Sequence, residues 1–347
     1  MMRILRTLPL LVLAMAFGCS GGDKSASETT GSTPASTATT GSTGAPKVEG
    51  TLKVALLTPG PVSDSGWNAL AYDGLQSIKT EMGAEVNNQE ATGDGIRDAM
   101  RTYAQQGYNL VIGHGYEYNQ VESEVAKDFP KTVFVSSSGG LSGGNYGAFR
   151  FYLEQGFYLA GMMAASMSKT GVVACVGLDV PSIKSTFKGF EAGAKAVNPN
   201  IKVVTKMVPL PGNDPAAYKQ ATLAAIDDKA DFIIHQANQC AGAVFGAAKE
   251  KGVFAFGSNA DQNADPSGVV IASAVIVAKP AFLELAKSVK DGAYKGGVPL
   301  IGMDKDAIDF VVNPKLASKV PADLMKKIEQ AKADIKSGKL VVPKDDF

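Results

Sequence analysis

The chain has 347 residues, 45% of them hydrophobic, with 34 basic against 34 acidic side chains. That length supports two cores of ordinary domain size. Zero net charge argues against a nucleic-acid partner, which calls for a basic surface.

Arg3 and Arg6 precede an apolar run from Leu8 to Phe17, and a small-residue exit follows at Gly18-Cys19-Ser20-Gly21-Gly22. A basic start, an apolar stretch of about ten residues and such an exit form a secretory signal, too short to span a bilayer. Ala16-Phe17-Gly18-Cys19 resembles the lipobox of bacterial lipoproteins, with Ala16 where leucine is usual. The resemblance implies acylation of Cys19 and a bacterial membrane anchor, periplasmic or on the cell surface; ordinary cleavage nearby would remove Cys19 instead. Residues 20–50 are mostly Ser, Thr, Gly, Ala and Pro. They bury too little apolar surface to offset their conformational entropy and are expected to be a disordered tether. Cys175 and Cys240 stand among apolar or small neighbours and read as inert core residues rather than a disulfide.

From Thr51 short apolar runs alternate with helical patterns. Leu52–Leu57 reads as a buried strand. Trp67, Leu70, Leu75, Ile78 and Met82 then fall near helical spacing, with Gly83 as C-cap. Further strands are expected at 109–113, 132–136, 172–177, 201–208, 231–235, 253–257 and 269–274. Helices are expected at 94–106, 117–129, 154–168, 183–197, 215–227, 241–251, 280–290 and 321–335. The face of Glu117–Glu124 reads as solvated. Such sustained alternation means parallel sheets with helices on both faces, and more strands than one small sheet carries. The expected fold is α/β with two doubly wound parallel-sheet lobes joined by a hinge, the type I periplasmic-binding architecture. After the signal (1–19) and tether (20–50), residues 51–150 plus 274–305 form lobe I and 151–273 plus 306–347 form lobe II.

In open α/β sheets ligands bind outside the carboxyl ends of the strands. Those ends carry Asp64, Trp67 and Asn68; His114 and Tyr116; Ser137 and Ser138; His235, Gln236 and Asn238; and Asn259 and Asp261. Neutral donors and acceptors on a cleft floor suit a polar, largely uncharged solute, and Trp67 and Tyr116 offer flat faces for a planar ring. Each has a plainer reading. Trp67 could pack helix on sheet, Asp64 could cap the helix, and Tyr116 could lie on the lobe surface. His235 could be a satisfied structural histidine, Asn238 and Asn259 ordinary loop residues, and Asp261 a cap for the next turn.

The block VALLTPGPVSDSGWNALAYDGL resembles the opening of the basic membrane protein family, the purine-nucleoside-type substrate-binding lipoproteins of ABC importers. Asp64, Trp67 and Asn68 match its acidic, aromatic and amide positions. NLVIGHGYEYNQ resembles the family's G-x-G-aromatic strand end, matching Gly113, Gly115 and Tyr116. DFIIHQANQC through GSNADQ resembles its two late strands, matching His235, Asn238, Asn259 and Asp261. The resemblance implies a planar ring held between aromatics, its edge read by Asp64 and Asn68. Ribose-binding members have an aspartate where Asn259 stands and a lysine where Ile276 falls; here Lys279 comes three residues late. A free nucleobase or another planar heterocycle such as riboflavin stays open beside a nucleoside.

Two histidines far apart, no Cys–His cluster, no G-x-S-x-G elbow and no phosphate loop at Gly139–Gly144 argue against a metal site, a cofactor and enzymatic activity. The sequence predicts a monomeric solute-binding lipoprotein that delivers its ligand to an ABC permease. The alternative is a ligand-sensing receptor for a signalling partner.

Overall fold

The computed structural model describes residues 46–64 and 66–346. Cys19, the signal segment and residues 20–45 of the tether lie outside them.

β1 (Lys53–Thr58) is the apolar run expected, buried from Val54 onward. α1 (Trp67–Met82) follows and buries Leu70, Ala71, Gly74, Leu75 and Ile78. Gly83 ends it in the left-handed region at φ 63°, its N–H on Lys79 O, a conformation that glycine adopts without a Cβ clash. β2 (Glu85–Glu90), α2 (Gly95–Gln105), β3 (Leu110–Gly113), α3 (Glu117–Val125), β4 (Val133–Ser136) and β5 (Tyr146–Ala148) complete the first sheet. Its order is β2-β1-β3-β4-β5, every pairing parallel. β2 reads EVNNQE and has no apolar alternation. Six backbone pairings to β1, from Lys53↔Glu85 to Thr58↔Glu90, hold it at the sheet edge.

The chain leaves this sheet through β6 (Arg150–Phe151) and α4 (Glu154–Met167). A second sheet is then wound from β7 (Val172–Leu178), α5 (Pro181–Val197), β8 (Lys202–Val208), α6 (Pro215–Asp227), β9 (Phe232–Gln236), α7 (Ala241–Lys251), β10 (Phe254–Asn259) and β11 (Val270–Ile276). α8 (Ala278–Lys290) returns to α1, where Gly74 admits the Phe282 ring: a Cβ there would lie 2.7 Å from Phe282 Cγ. β12 (Leu300–Ile301) pairs with β6, β13 (Ile308–Val312) rejoins the second sheet, and α9 (Ala322–Lys336) packs on α4.

The second sheet runs β13-β11-β10-β9-β7-β8. Its parallel strands repeat the winding of the first, but β13 is antiparallel to β11, so this lobe is not purely parallel as expected. β13 arrives after the chain has been back to the first lobe, so the one-way strand–helix winding no longer sets its direction. Three segments therefore pass between the lobes: after β5, after β11 and after β12. α4 and α5 pack with their backbones in close approach. A Cβ on Gly161 would lie 2.0 Å from Phe190 O, and one on Gly193 1.9 Å from Tyr158 O. Cys175 and Cys240 are buried and free. The face of α3 is not solvated as expected. Tyr118 and Glu122 are fully buried, because α3 lies against β4 and β5 and Asn119 clamps Leu141 through its backbone N–H (2.8 Å) and carbonyl (3.1 Å).

Candidate functional site

In each sheet the winding reverses beside its first strand, between β1 and β3 in one lobe and between β7 and β9 in the other. The carboxyl ends at such a reversal leave a crevice. Here the two crevices share one cleft of about 650 Å³, lined by both lobes.

The first-lobe wall is built by the loop after β1. Asp64 caps α1: its Oδ1 accepts from Gly66 N (3.0 Å) and Ala69 N (2.9 Å), and its Oδ2 from Asn68 N (3.0 Å). A carboxylate on the free N–H groups of a first helical turn also meets the positive end of the helix dipole. The cap presents Trp67 and Asn68, which both line the cleft. Asn68 is 7% exposed, and its Oδ1 is buried without a hydrogen-bond partner. A buried acceptor left unpaired costs about 1–3 kcal/mol.

Trp67 rests on His114, which follows β3. Their rings stack at 3.9 Å with planes 23° apart. His114 Nε2 lies 2.7 Å from Trp67 O, and the indole N–H reaches His114 O at 3.4 Å. A carbonyl only accepts, so Nε2 carries the proton and Nδ1 accepts from the Ser137 hydroxyl at 2.7 Å. Complete burial pushes this imidazole down to about 3, opposed by its bond to Trp67 O, and it is neutral at physiological pH. One face of the indole is thus covered, leaving the other for the cleft. Tyr116, 52% exposed, stands at the rim.

The second-lobe wall carries Gln236, Asn238 and Asn259. Asn259 Nδ2 donates to Gln236 Oε1 (3.2 Å) and to Asn238 Oδ1 (2.9 Å). Asn238 and Asn259 have φ of 45° and 66°, a region that asparagine tolerates better than most residues. At the hinge end lie Arg150 and Glu154, 3.3 Å apart and both buried. Glu154 Oε1 also accepts from the Ser185 hydroxyl, and Arg150 donates to Asp345 O at 2.9 Å. Burial raises the Glu154 carboxyl above its ordinary range, opposed by the Ser185 bond and by the Arg150 charge.

Six of the eight expected ligand residues therefore line one cleft: Asp64, Trp67, Asn68, Tyr116, Asn238 and Asn259. His235 does not. It is fully buried, its Nδ1 accepts from Ala237 N (3.2 Å), its Nε2 faces Gln262 Oε1 (3.1 Å), and its ring meets the Phe245 edge. Asp261 does not either; it is exposed and closes a local turn onto Asn263 N at 3.0 Å. His114 and Gln236 lie at strand ends that the sequence points to but outside the eight expected ligand residues, and Arg150 and Glu154 are not among the strand-end candidates. For Gln236 the signal was present, since it closes β9 next to His235. Arg150, one of five arginines in the chain, was marked only by rarity. Among the described residues no cluster of His, Cys, Asp and Glu could hold a metal ion, and no helix is long and apolar enough to cross a membrane.

A family model, the Bmp family of PnrA-like ABC transporter substrate-binding proteins, matches residues 51–346. A protein of Brucella abortus named as purine-binding is 28% identical over 304 residues, covering 86% of this chain and 84% of its own. The transcriptional activator protein med of Bacillus subtilis is 30% identical over 247 residues, covering 71% and 77%. An ABC transporter solute-binding protein of Aeropyrum pernix superposes with TM-score 0.73 at 18% identity, over 85% of this chain and 94% of that one. Its fold is this chain's fold: two α/β lobes of the type I periplasmic-binding class.

Proposed function

The chain belongs to the Bmp family, PnrA-like ABC transporter substrate-binding proteins, and on that premise we propose that its cleft binds a purine-like nucleobase or nucleoside for delivery to a membrane permease. A cleft of about 650 Å³ suits such a solute, since small-molecule pockets commonly span about 300–1,000 Å³. The planar ring stacks on the face of Trp67 turned away from His114. Asn68 Oδ1 accepts an N–H from its edge, Asn238 and Asn259 meet it from the other lobe, and Tyr116 covers the mouth. Asp64 acts through the helix it caps, so its role is to position Trp67 and Asn68. Closure of the lobes about the three crossing segments traps the ligand.

The observation that carries this reading is Trp67, held flat by His114 beside a buried carbonyl oxygen that lacks a partner. The name of the Brucella relative supports the purine class. In this reading the chain binds its ligand without chemistry, as suits a family of substrate-binding proteins. Export and anchoring through Cys19 complete the proposal, and they rest on the N-terminal pattern alone.

Calorimetric titration with purine bases, nucleosides, riboflavin, a sugar and an amino acid tests it, with Trp67 as the only tryptophan to report stacking. A bound heterocycle should quench the fluorescence and be recovered unchanged. Tight binding of the sugar or the amino acid, with no heterocycle bound, refutes the ligand class. A second reading, sensing rather than delivery, draws on the transcriptional-activator name of the Bacillus relative. Cells lacking the chain that keep ligand uptake but lose a transcriptional response would favour it.

A further inference from the structure

The residues after α9 run back along the crossing segments. Val342 is buried in the core, and its carbonyl accepts from the Tyr152 hydroxyl. Three residues on, Asp345 O accepts from Arg150 Nη1 at 2.9 Å, and Asp345 N donates to Ser185 Oγ at 2.9 Å. The Asp345 carboxylate meets Lys188 Nζ at 2.7 Å. Ser185 and Lys188 belong to α5 of the second lobe, whereas Arg150 and Tyr152 lie in the first crossing. Residues 342–346 therefore tie that crossing to the second lobe without joining either sheet.

Two of the crossings run side by side as one ribbon. Ala148 N donates to Gly297 O (3.1 Å), Arg150 N to Pro299 O (2.9 Å) and Tyr152 N to Ile301 O (2.9 Å). On the first-lobe side Phe149 holds the ribbon. Its N–H donates to Ser136 O at 2.9 Å, and its ring meets Phe282 of α8 edge-on. The segment after α9 grips the ribbon at the very next residue, Arg150. What lies between the two holds is the Phe149–Arg150 step and, on the paired strand, Val298 beside Gly297. Gly297 has φ 109°, a region open to glycine and strained for other residues.

The lobes touch across the cleft mouth in this structure, since a Cβ on Gly66 would lie 3.5 Å from Asn238 Cα. Parting them must bend the ribbon. We infer that residues 342–346 are a strap that confines this bending to the Phe149–Arg150 step and so limits how readily the lobes part. The inference goes beyond the ligand reading and holds for any solute in the cleft. Arg150 and Glu154 line the cleft, and the strap holds both, Arg150 directly and Glu154 through Ser185. With the strap in place they move with the second lobe as one wall. Without it the ribbon loses its tie to α5 and gains a second place to bend, ahead of α4.

The test compares the purified protein, dialysed free of ligand, with a variant that stops after Pro343 and so keeps Val342 and its bond to Tyr152. Thermal unfolding shows whether both are folded. Hydrogen exchange of the Arg150 and Tyr152 amides should quicken about tenfold in the variant, the scale of one or two lost hydrogen bonds, while β1 and β7 keep their rates. Acrylamide quenching of Trp67, the only tryptophan and a cleft-lining residue, should increase because the lobes part more readily. Trp67 lies on the first-lobe wall, so loosening confined to the strap leaves its quenching unchanged. Quenching at the wild-type level in a folded variant overturns the inference, whatever the exchange at Arg150 does. Exchange that quickens equally in β1 and β7 also overturns it, since the segment then only stabilises the whole fold. Should the shortened chain fail to fold, Tyr152→Phe decides, because it keeps the ring and removes the bond to Val342 O. A smaller rise in both readouts is expected there, and no rise overturns the inference. No ligand takes part, so the outcome is separate from that of the titration with heterocycles, a sugar and an amino acid.

Discussion

His114 and His235 stand at corresponding places, each at the carboxyl end of the strand across the winding reversal of its lobe. Both are fully buried and both have their ring nitrogens engaged. Only His114 stacks on a ring that lines the cleft, that of Trp67. His235 belongs to the core, packed on Phe245 of α7. The difference is one of register. His114 lies one residue past β3, where the chain has turned toward the cleft. His235 is still inside β9, where successive side chains point to opposite faces, so its neighbour Gln236 looks into the cleft and it looks away. Residue type at a strand end is therefore a weaker indicator of a site than the face on which the side chain emerges.

The sharpest way to break this contrast is to truncate both rings. His114→Ala and His235→Ala should each destabilise the protein by roughly 2–4 kcal/mol, from the cavity and the polar partners left unpaired. Denaturant unfolding measures that loss. Ligand affinity, measured by calorimetry under conditions where both variants are folded, should fall only for His114→Ala. Equal losses of affinity would put His235 back in the site. Next in size, Trp67→Ala should weaken ligand binding by roughly 1–3 kcal/mol, the worth of one base–aromatic stack, with a smaller change in stability. Retained affinity would make Trp67 a packing residue.

The two imidazoles should also register in the pH dependence of unfolding. Burial holds His114 down to about 3 and His235 down to about 4, against an ordinary value of 6.5 in the unfolded chain. On acidification the unfolded state takes up these protons first. Each histidine therefore contributes its stability in full above pH 6.5, and loses it as pH falls toward about 4 for His235 and about 3 for His114. Glu122 and Glu154 act in the opposite sense. Burial raises both carboxyls, so their contribution is complete below the ordinary carboxyl value and is lost as pH rises through their raised values. Comparing each single histidine variant with wild type between pH 4 and 7 isolates the imidazole part as a shallower acid slope. An unchanged slope would mean that the rings titrate alike in both states.

Much of the fold was legible because local physics decides it. The spacing of Trp67, Leu70, Leu75 and Ile78 with Gly83 after Met82 marks a buried helix and its left-handed stop, and that is α1. Apolar runs such as Leu52–Leu57 mark buried parallel strands. The polar strand β2 carried no such mark, since six backbone pairings to β1 hold it rather than side-chain burial. β13, IDFVV, does carry an apolar run; what its sequence leaves open is the antiparallel place, which follows from a detour through the other lobe.

Within the candidate site, residue chemistry and placement at strand ends by themselves determined that neutral amides and a lone tryptophan gather where a ligand can reach them. The tertiary structure alone decided which of two histidines supports that tryptophan. It also decided that the Asp64 carboxylate is taken up by a helix end, and that Arg150 and Glu154 meet at the hinge end of the cleft. The reason is range. Periodicity and capping act over a few residues, whereas a stacked ring across 47 residues of chain, or the amide bonds between β9 and β10, form only when the sheets set each strand's face and register.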